Sequence, residues 1–486
     1  MRAAPDRTVL AAALLALAAC TVGPDYQRPE AMAPPAFKEL AGWKPAQPRE
    51  AASGSPWWSV YDDPVLDQLE RQIDVSNQTL KANEAAFRQA SAIVAEGRSG
   101  FFPVAGVTAS GTRSSTPTGT SGSSRSSTRS SSGHVIQNSF DAGGNVSWVP
   151  DIWGRIRRTV ESDVANAQAS AADLAAARLS AQATLAIDYF QLRVDDALVH
   201  VLDQTIAAYQ QSLEIARNQY SAGVAAQSDV ITAETQLENA RAQSISFGVQ
   251  RATLEHAIAV LMGKPPAEFA LAPAALATAI PVMPAGLPST LLERRPDIAA
   301  SERAVASANA QIGVAESAYF PDLTLTGSLS FASAELGNLF SVSNSAWSLG
   351  AQVAETVFEG GLRHAQVAAA RAAYDESVAN YRQTVLSALQ QVEDQLASLR
   401  ILEQQAAVQA RALALAREAV QLTLNQYQAG TVAYTNVVVA QTTALGDEQS
   451  ALTILGSRLA ASVTLIEALG GGWTEAQLPS LAEAAP

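Results

Sequence analysis

Leu323-Thr324-Leu325-Thr326-Gly327-Ser328-Leu329-Ser330-Phe331 is the stretch from which the fold is read. Apolar residues and one glycine alternate with Thr and Ser, the period of a strand with one oily and one wet face. Trp347 to Phe358 alternates again and reads as the return strand. The period then changes. Val367, Ala370, Tyr374, Val378, Tyr381, Val385, Leu389, Val392, Leu396 and Leu399 recur by threes and fours, the stripe of an amphipathic helix. No Gly or Pro interrupts the run from Leu362 to Tyr427.

The same order occurs earlier in the chain. Phe102-Pro103 returns as Phe320-Pro321, and Gln219-Tyr220-Ser221-Ala222-Gly223 returns as Gln426-Tyr427-Gln428-Ala429-Gly430. Ahead of each Phe-Pro lies a helix carrying Glu84 or Glu302. The first-half strands are expected at Val104 to Thr112 and Phe140 to Trp148. The Ser/Thr/Gly/Arg tract from Arg113 to Gly133 between them is expected as an exposed loop, being too polar to order itself by burial. An unbroken helix from Ile156 to Tyr220 would be about 97 Å long at 1.5 Å per residue. Gly223 and Gly430 end the two long helices, and a returning helix of about 40 residues closes each αα-hairpin. A repeat of this size is a duplicated half-molecule. The expected layout is a leader over 1–19, an N-terminal segment over 20–64, a first repeat over 65–285, a second over 286–472 and a tail over 473–486.

The amino terminus reads as an address. Arg2 and Arg7 precede an apolar run from Val9 to Ala19, far short of the roughly 20 residues that span a bilayer as a helix. Leu17-Ala18-Ala19-Cys20 resembles a bacterial lipobox, in which the cysteine becomes a doubly anchored, acylated first residue. No uninterrupted apolar stretch of membrane-spanning length follows, so a membrane crossing is expected to be made by strands.

The composition excludes several classes. The 486 residues are 48% apolar and 16% charged, enough to build a core, and a net charge of −14 argues against a nucleic-acid partner. One cysteine excludes a disulfide framework, and His134, His200, His256 and His364 are scattered, so no metal or cofactor is expected. No nucleophile–base pair, phosphate loop or carboxylate pair is evident, and no catalytic residue is assigned. Four two-faced strands cannot close a barrel, and an open edge in lipid costs several kcal/mol per unpaired backbone group. Two chains would give eight strands with a packed interior, and three would give twelve with a watery lumen, which suits inward Thr and Ser. A lipid-anchored coiled-coil scaffold would need the helices but not the strands.

Several motifs in this order resemble the TolC-type outer-membrane efflux channels, specifically the NodT-like lipoprotein branch. They are Val22-Gly23-Pro24-Asp25-Tyr26 after Cys20, Trp57-Trp58, and Asp63-Pro64-Val65-Leu66-Asp67. Trp153-Gly154-Arg155, Leu292-Glu293-Arg294-Arg295-Pro296-Asp297, Ile312-Gly313-Val314-Ala315 and Glu359-Gly360-Gly361-Leu362 complete the set. The resemblance implies an α+β membrane protein: a homotrimer with a twelve-stranded β-barrel in the outer membrane, continued by a tunnel of helical hairpins. It further implies lipidation at Cys20, outer-membrane sorting through Thr21, and docking to a periplasmic adaptor and an RND-type inner-membrane pump that expels drugs or other small molecules. A type I protein-secretion duct is the nearest alternative. In the family the tunnel narrows past the two glycine turns at an aspartate ring. The matching positions here are Asn436 and Val439, with Asp229 as the first-half equivalent of Asn436. Asp229 could instead cap its helix. Arg295-Pro296-Asp297 reads as architecture, and Trp57-Trp58 as packing on the helical belt.

Overall fold

The computed structural model describes residues 21–31, 34–40, 56–117, 134–276, 279–281 and 291–479. The first half is α1 (Pro64–Ser76), α2 (Gln78–Ser99), β1 (Val104–Pro117), β2 (His134–Trp148), α3 (Arg155–Ser221) and α4 (Gln227–Leu261). The second is α5 (Leu291–Arg294), α6 (Pro296–Ser317), β3 (Asp322–Ser333), β4 (Ser345–Ala354), α7 (Leu362–Gln428) and α8 (Tyr434–Ala468). From α2 and from α6 onward the order is the same: helix, two strands, long helix, return helix.

Both α3 and α7 run 67 residues, about 100 Å, without a break. Each starts after a left-handed glycine, Gly154 or Gly361. The return helices are 35 residues each, somewhat shorter than expected. The strands form one antiparallel sheet in the order β1-β2-β3-β4, so the pairing of β2 with β3 joins the two halves.

Three strand boundaries need correction. The return strand β4 stops at Ala354 rather than Phe358, and Gly360 and Gly361, both at positive φ, turn the chain into α7. Arg113 to Pro117, expected in a loop, pairs with His134 to Asn138. Backbone pairing carries this stretch although the side chains from Arg113 to Thr116 stay exposed. Residues 118–133 of the polar tract lie outside the described residues.

Helix packing accounts for the core. Trp58, Leu66, Ile73, Leu185, Leu192 and Ile258 close one cluster where α1, α3, α4 and α8 meet. Ile298, Val305, Tyr381, Val385, Val392 and Leu465 close another between α6, α7 and α8. Fully buried Ala167, Ala172, Ala186 and Ala216 let α3 approach its neighbours closely. One helix does reach the apolarity of a membrane span: an 18-residue window of α8 has a mean hydropathy of 1.3. Half of that window is buried and it is interrupted by polar residues such as Arg458 and Ser462, which marks it as a packing helix.

The Trp57-Trp58 pair packs on the belt as expected. Trp58 is buried and donates to Asp67 Oδ1 at 3.1 Å, and Trp57 donates to Gln182 Oε1 at 3.2 Å. Arg295 precedes the first residue of α6, pairs with Asp297 at 2.6 Å, and donates at 3.1 Å to the carbonyl of Ala468, the last residue of α8. After Gly470-Gly471-Gly472 the tail turns back, and Trp473 and Leu478 pack on Ala172, Ala299 and Ala300.

An N-terminal strap begins at the sheet end of the helices. Val22 N–H donates to the Trp153 carbonyl at 3.1 Å, and Asn309 donates to the Pro24 carbonyl at 2.9 Å. Tyr26 donates to Glu302, and the N–H groups of Lys38 and Glu39 reach the Glu393 carboxylate at 2.6 and 3.0 Å. Successive strap residues therefore meet successively earlier turns of α6 before crossing to α7.

Candidate functional site

The sheet separates its two faces across all four strands. Side chains opposite one another in register share a face. Leu325 sits between Trp148 and Ala351, Gly327 between Val146 and Leu349, and Leu329 between Gly144 and Trp347. Beyond β2 the same face continues through Ala105, Val107 and Ala109. The opposite face carries Thr324 beside Gln352, Thr326 beside Ser147, and Ser328 between Asn145 and Ser348. The hydroxyls of Ser328 and Ser348 are 2.8 Å apart. Val107, Leu349 and Trp347 are 90%, 80% and 74% exposed in the single chain. A continuous apolar face of this kind is a surface for lipid rather than for water.

The oily band has limits. Nine residues from Leu323 to Phe331 extend about 30 Å at roughly 3.3 Å each, enough to cross a tilted hydrocarbon layer. Past Gly111 and Phe140 the same face turns to Arg113 and Asn138, so the extra length of β1 and β2 projects beyond the band. Aromatic side chains mark both ends. At the helix end the Trp148 indole donates to the Phe101 carbonyl at 3.0 Å, and Trp153 stacks on Phe320 at 4.8 Å. At the far end stand Trp347 and the Phe331–Phe340 pair, 5.5 Å apart.

At the other extreme of the helices lie the turns. Gly223 and Gly430 have φ of 75° and 73°, and a side chain at either would meet nothing within 4 Å. Glycine is needed there for backbone conformation alone. Gly223 N–H bonds the Tyr220 carbonyl and Gly430 N–H that of Tyr427, both at 2.9 Å.

Between the two turns is a feature that sequence reading missed. Tyr209, Leu213, Leu237, Tyr427, Tyr434 and Val437 form one buried cluster drawn from both hairpins. The Tyr427 and Tyr434 rings are 5.1 Å apart, and the buried hydroxyls of Tyr209 and Tyr427 have no hydrogen-bond partner among the described residues. Burial raises the pKa of all three, that of Tyr434 to about 12. Gln441 Nε2 donates to Ser212 Oγ at 3.0 Å across the same hairpin contact. Tyrosines flanking the second turn, seven residues apart, were the available signal.

The three constriction residues do not occupy equivalent places. Asn436 is exposed and Val439 is 63% exposed, on the face of α8 away from Tyr434 and Val437. Asp229 is half-buried in the first turn of α4, near enough to Tyr427 and Tyr434 to help raise their pKa values. It does not cap that helix, whose N-cap is Ala226 with no side-chain bond. Cys20 lies outside the described residues. Its neighbour Thr21 rests on Gly154, directly after the sheet.

The comparisons agree with this geometry. The family model described as outer membrane efflux protein matches residues 69–264 and 287–471. The chain is 30% identical over 472 residues to the probable efflux pump outer membrane protein TtgC of Pseudomonas putida, covering 96% of this chain and 95% of that one. It is 28% identical over 465 residues to the cation efflux system protein CusC of Escherichia coli, covering 95% and 97%. The solved outer-membrane channel OprN superposes with a TM-score of 0.85 at 30% identity, covering 93% of this chain and all of that one. Two-faced strands, paired hairpins and these matches together place the chain in the outer membrane efflux protein family, as an outer-membrane channel whose four strands contribute to a trimeric barrel above a helical periplasmic tunnel.

Proposed function

We propose that three copies of the chain form the passive exit duct of a tripartite system, receiving drugs or other small molecules from an RND-type pump through a periplasmic adaptor. The observation that carries this is the wet face of the sheet, a wall of Thr, Ser, Asn and Gln, joined to helices about 100 Å long. The protein conducts and does not catalyse. Selection belongs to the pump, and the exposed turns at Gly223 and Gly430 are the surface offered to the adaptor. Cys20 carries the lipid anchor, a reading supported by the position of Thr21 beside the sheet. Among relatives, one is named a toluene efflux pump outer membrane protein and another a cation efflux protein, which fits a duct that does not itself choose. Deleting the chain from its own host should raise the accumulation of a fluorescent drug, and restoring it should reverse the effect. Unchanged accumulation would contradict the reading.

A further inference from the structure

An open groove lies where the strap enters the molecule. It holds about 530 Å³ between the end of α6 and the first turns of α7. Val22, Tyr319, Phe320, Val367 and Ala368 supply its apolar lining, and Glu316, His364 and Arg371 line it as well. His364, Val367, Ala368 and Arg371 share one helix face by their three- and four-residue spacing. Arg371 is tied to Glu316 on α6 at 2.8 Å, which bridges the two walls. Phe320 stacks on Trp153 and leads through Pro321 into β3, so the groove sits at the boundary of the lipid-facing band.

We propose that this groove seats a fatty acyl chain carried by the protein itself, the one amide-linked to the amino group of Cys20. The proposal rests on the lipidation of Cys20 and adds where one of the chains goes. Val22 is part of the wall, and its N–H is fixed on the Trp153 carbonyl at 3.1 Å. Thr21 is pressed against Gly154, where even a Cβ would come within 2.7 Å of Thr21 Cγ2. The amide nitrogen of Cys20 is two residues from Val22, within about 7 Å at the reach of an extended chain. An acyl chain on that nitrogen is therefore within reach of the groove wall at Val22. The diacylglycerol, attached through the cysteine side chain, stays free to enter the leaflet. Seated in this way, one chain fastens the strap to the α6–α7 junction and the others fasten it to the membrane.

Cells are grown on a diazirine-bearing fatty acid, and the purified, irradiated channel is mapped by peptide mass spectrometry. The expected result is an acylated Cys20 peptide cross-linked to peptides containing Tyr319–Phe320 and His364–Arg371. These cross-links should disappear in Ala368→Trp while Cys20 remains acylated, with Ala368→Leu as the smaller filler if the ring hinders assembly. They should also disappear when residues 1–20 are replaced by a cleavable leader without a lipobox. Groove cross-links that survive that replacement would assign the groove to a free phospholipid and overturn the proposal. Acylated Cys20 with cross-links only to bulk lipid would overturn it equally. An unacylated Cys20 would instead defeat the anchor reading on which it rests.

Discussion

Glu70 shows how strongly a single residue can depart from its type. It is 0% exposed on α1, and neither carboxylate oxygen has a hydrogen-bond partner among the described residues. Burial, with the charge of Asp74 adding to it, pushes its pKa up to about 9. The native chain therefore keeps a proton that the unfolded chain releases above about 4.5, and stability from this site falls as pH rises from there towards 9. Glu70→Gln should be more stable than the parent at pH 8 by up to about 5 kcal/mol, seen as a higher melting temperature, with a difference that shrinks towards pH 5. Thermal melts that run parallel across that range would contradict it. At the tips, the charge-poor α8 positions Asn436 and Val439, proposed to line the constriction, should give weak divalent-cation block, with the remainder dependent on Asp229. Single-channel recordings with and without millimolar divalent cations should show this, and strong block surviving Asp229→Asn would show the constriction to be elsewhere. An apolar narrowing closes by dewetting without needing charge. The tyrosine cluster was not legible in the sequence because Tyr209 and Tyr434 come from different halves and meet only after both hairpins form.

At the scale of elements, Leu323 to Phe331 could be read because its alternation is the physical cause of its two faces. Strand ends could not be read in the same way. The alternating pattern ran past Ala354 to Phe358, but β3 begins at Asp322, opposite Ala354, directly after Pro321, which has no N–H to extend the ladder. Arg113 to Pro117 offered no apolar signal, and only the β2 backbone opposite makes it a strand. Register makes the faces testable. Leu349→Arg, on the oily face near the middle of the band, should weaken assembly by about 2–4 kcal/mol. Leu325→Arg, nearer one end, should cost less, and Thr324→Arg on the wet face should assemble normally. Assembled channel recovered from outer membranes measures all three. Equal loss from the two faces would refute the assignment of lipid and lumen.

For the whole molecule, duplication explains most of the architecture. Each half supplies two strands and one long hairpin, and β2–β3 pairing makes one sheet of the halves. Among the described residues that sheet still has free outer edges on β1 and β4, which hydrocarbon does not tolerate. Pooling strands among copies removes the edges and opens a lumen in one step. The stoichiometry was legible because four strands per chain and a wet inner face leave few ways to close. The groove beside Val22 was not, since it forms only when the strap, α6 and α7 come together. Native mass spectrometry of the detergent-extracted channel tests this closure most directly. The expected species has three times the mass of the mature chain, and a folded, membrane-inserted monomer or dimer would contradict it.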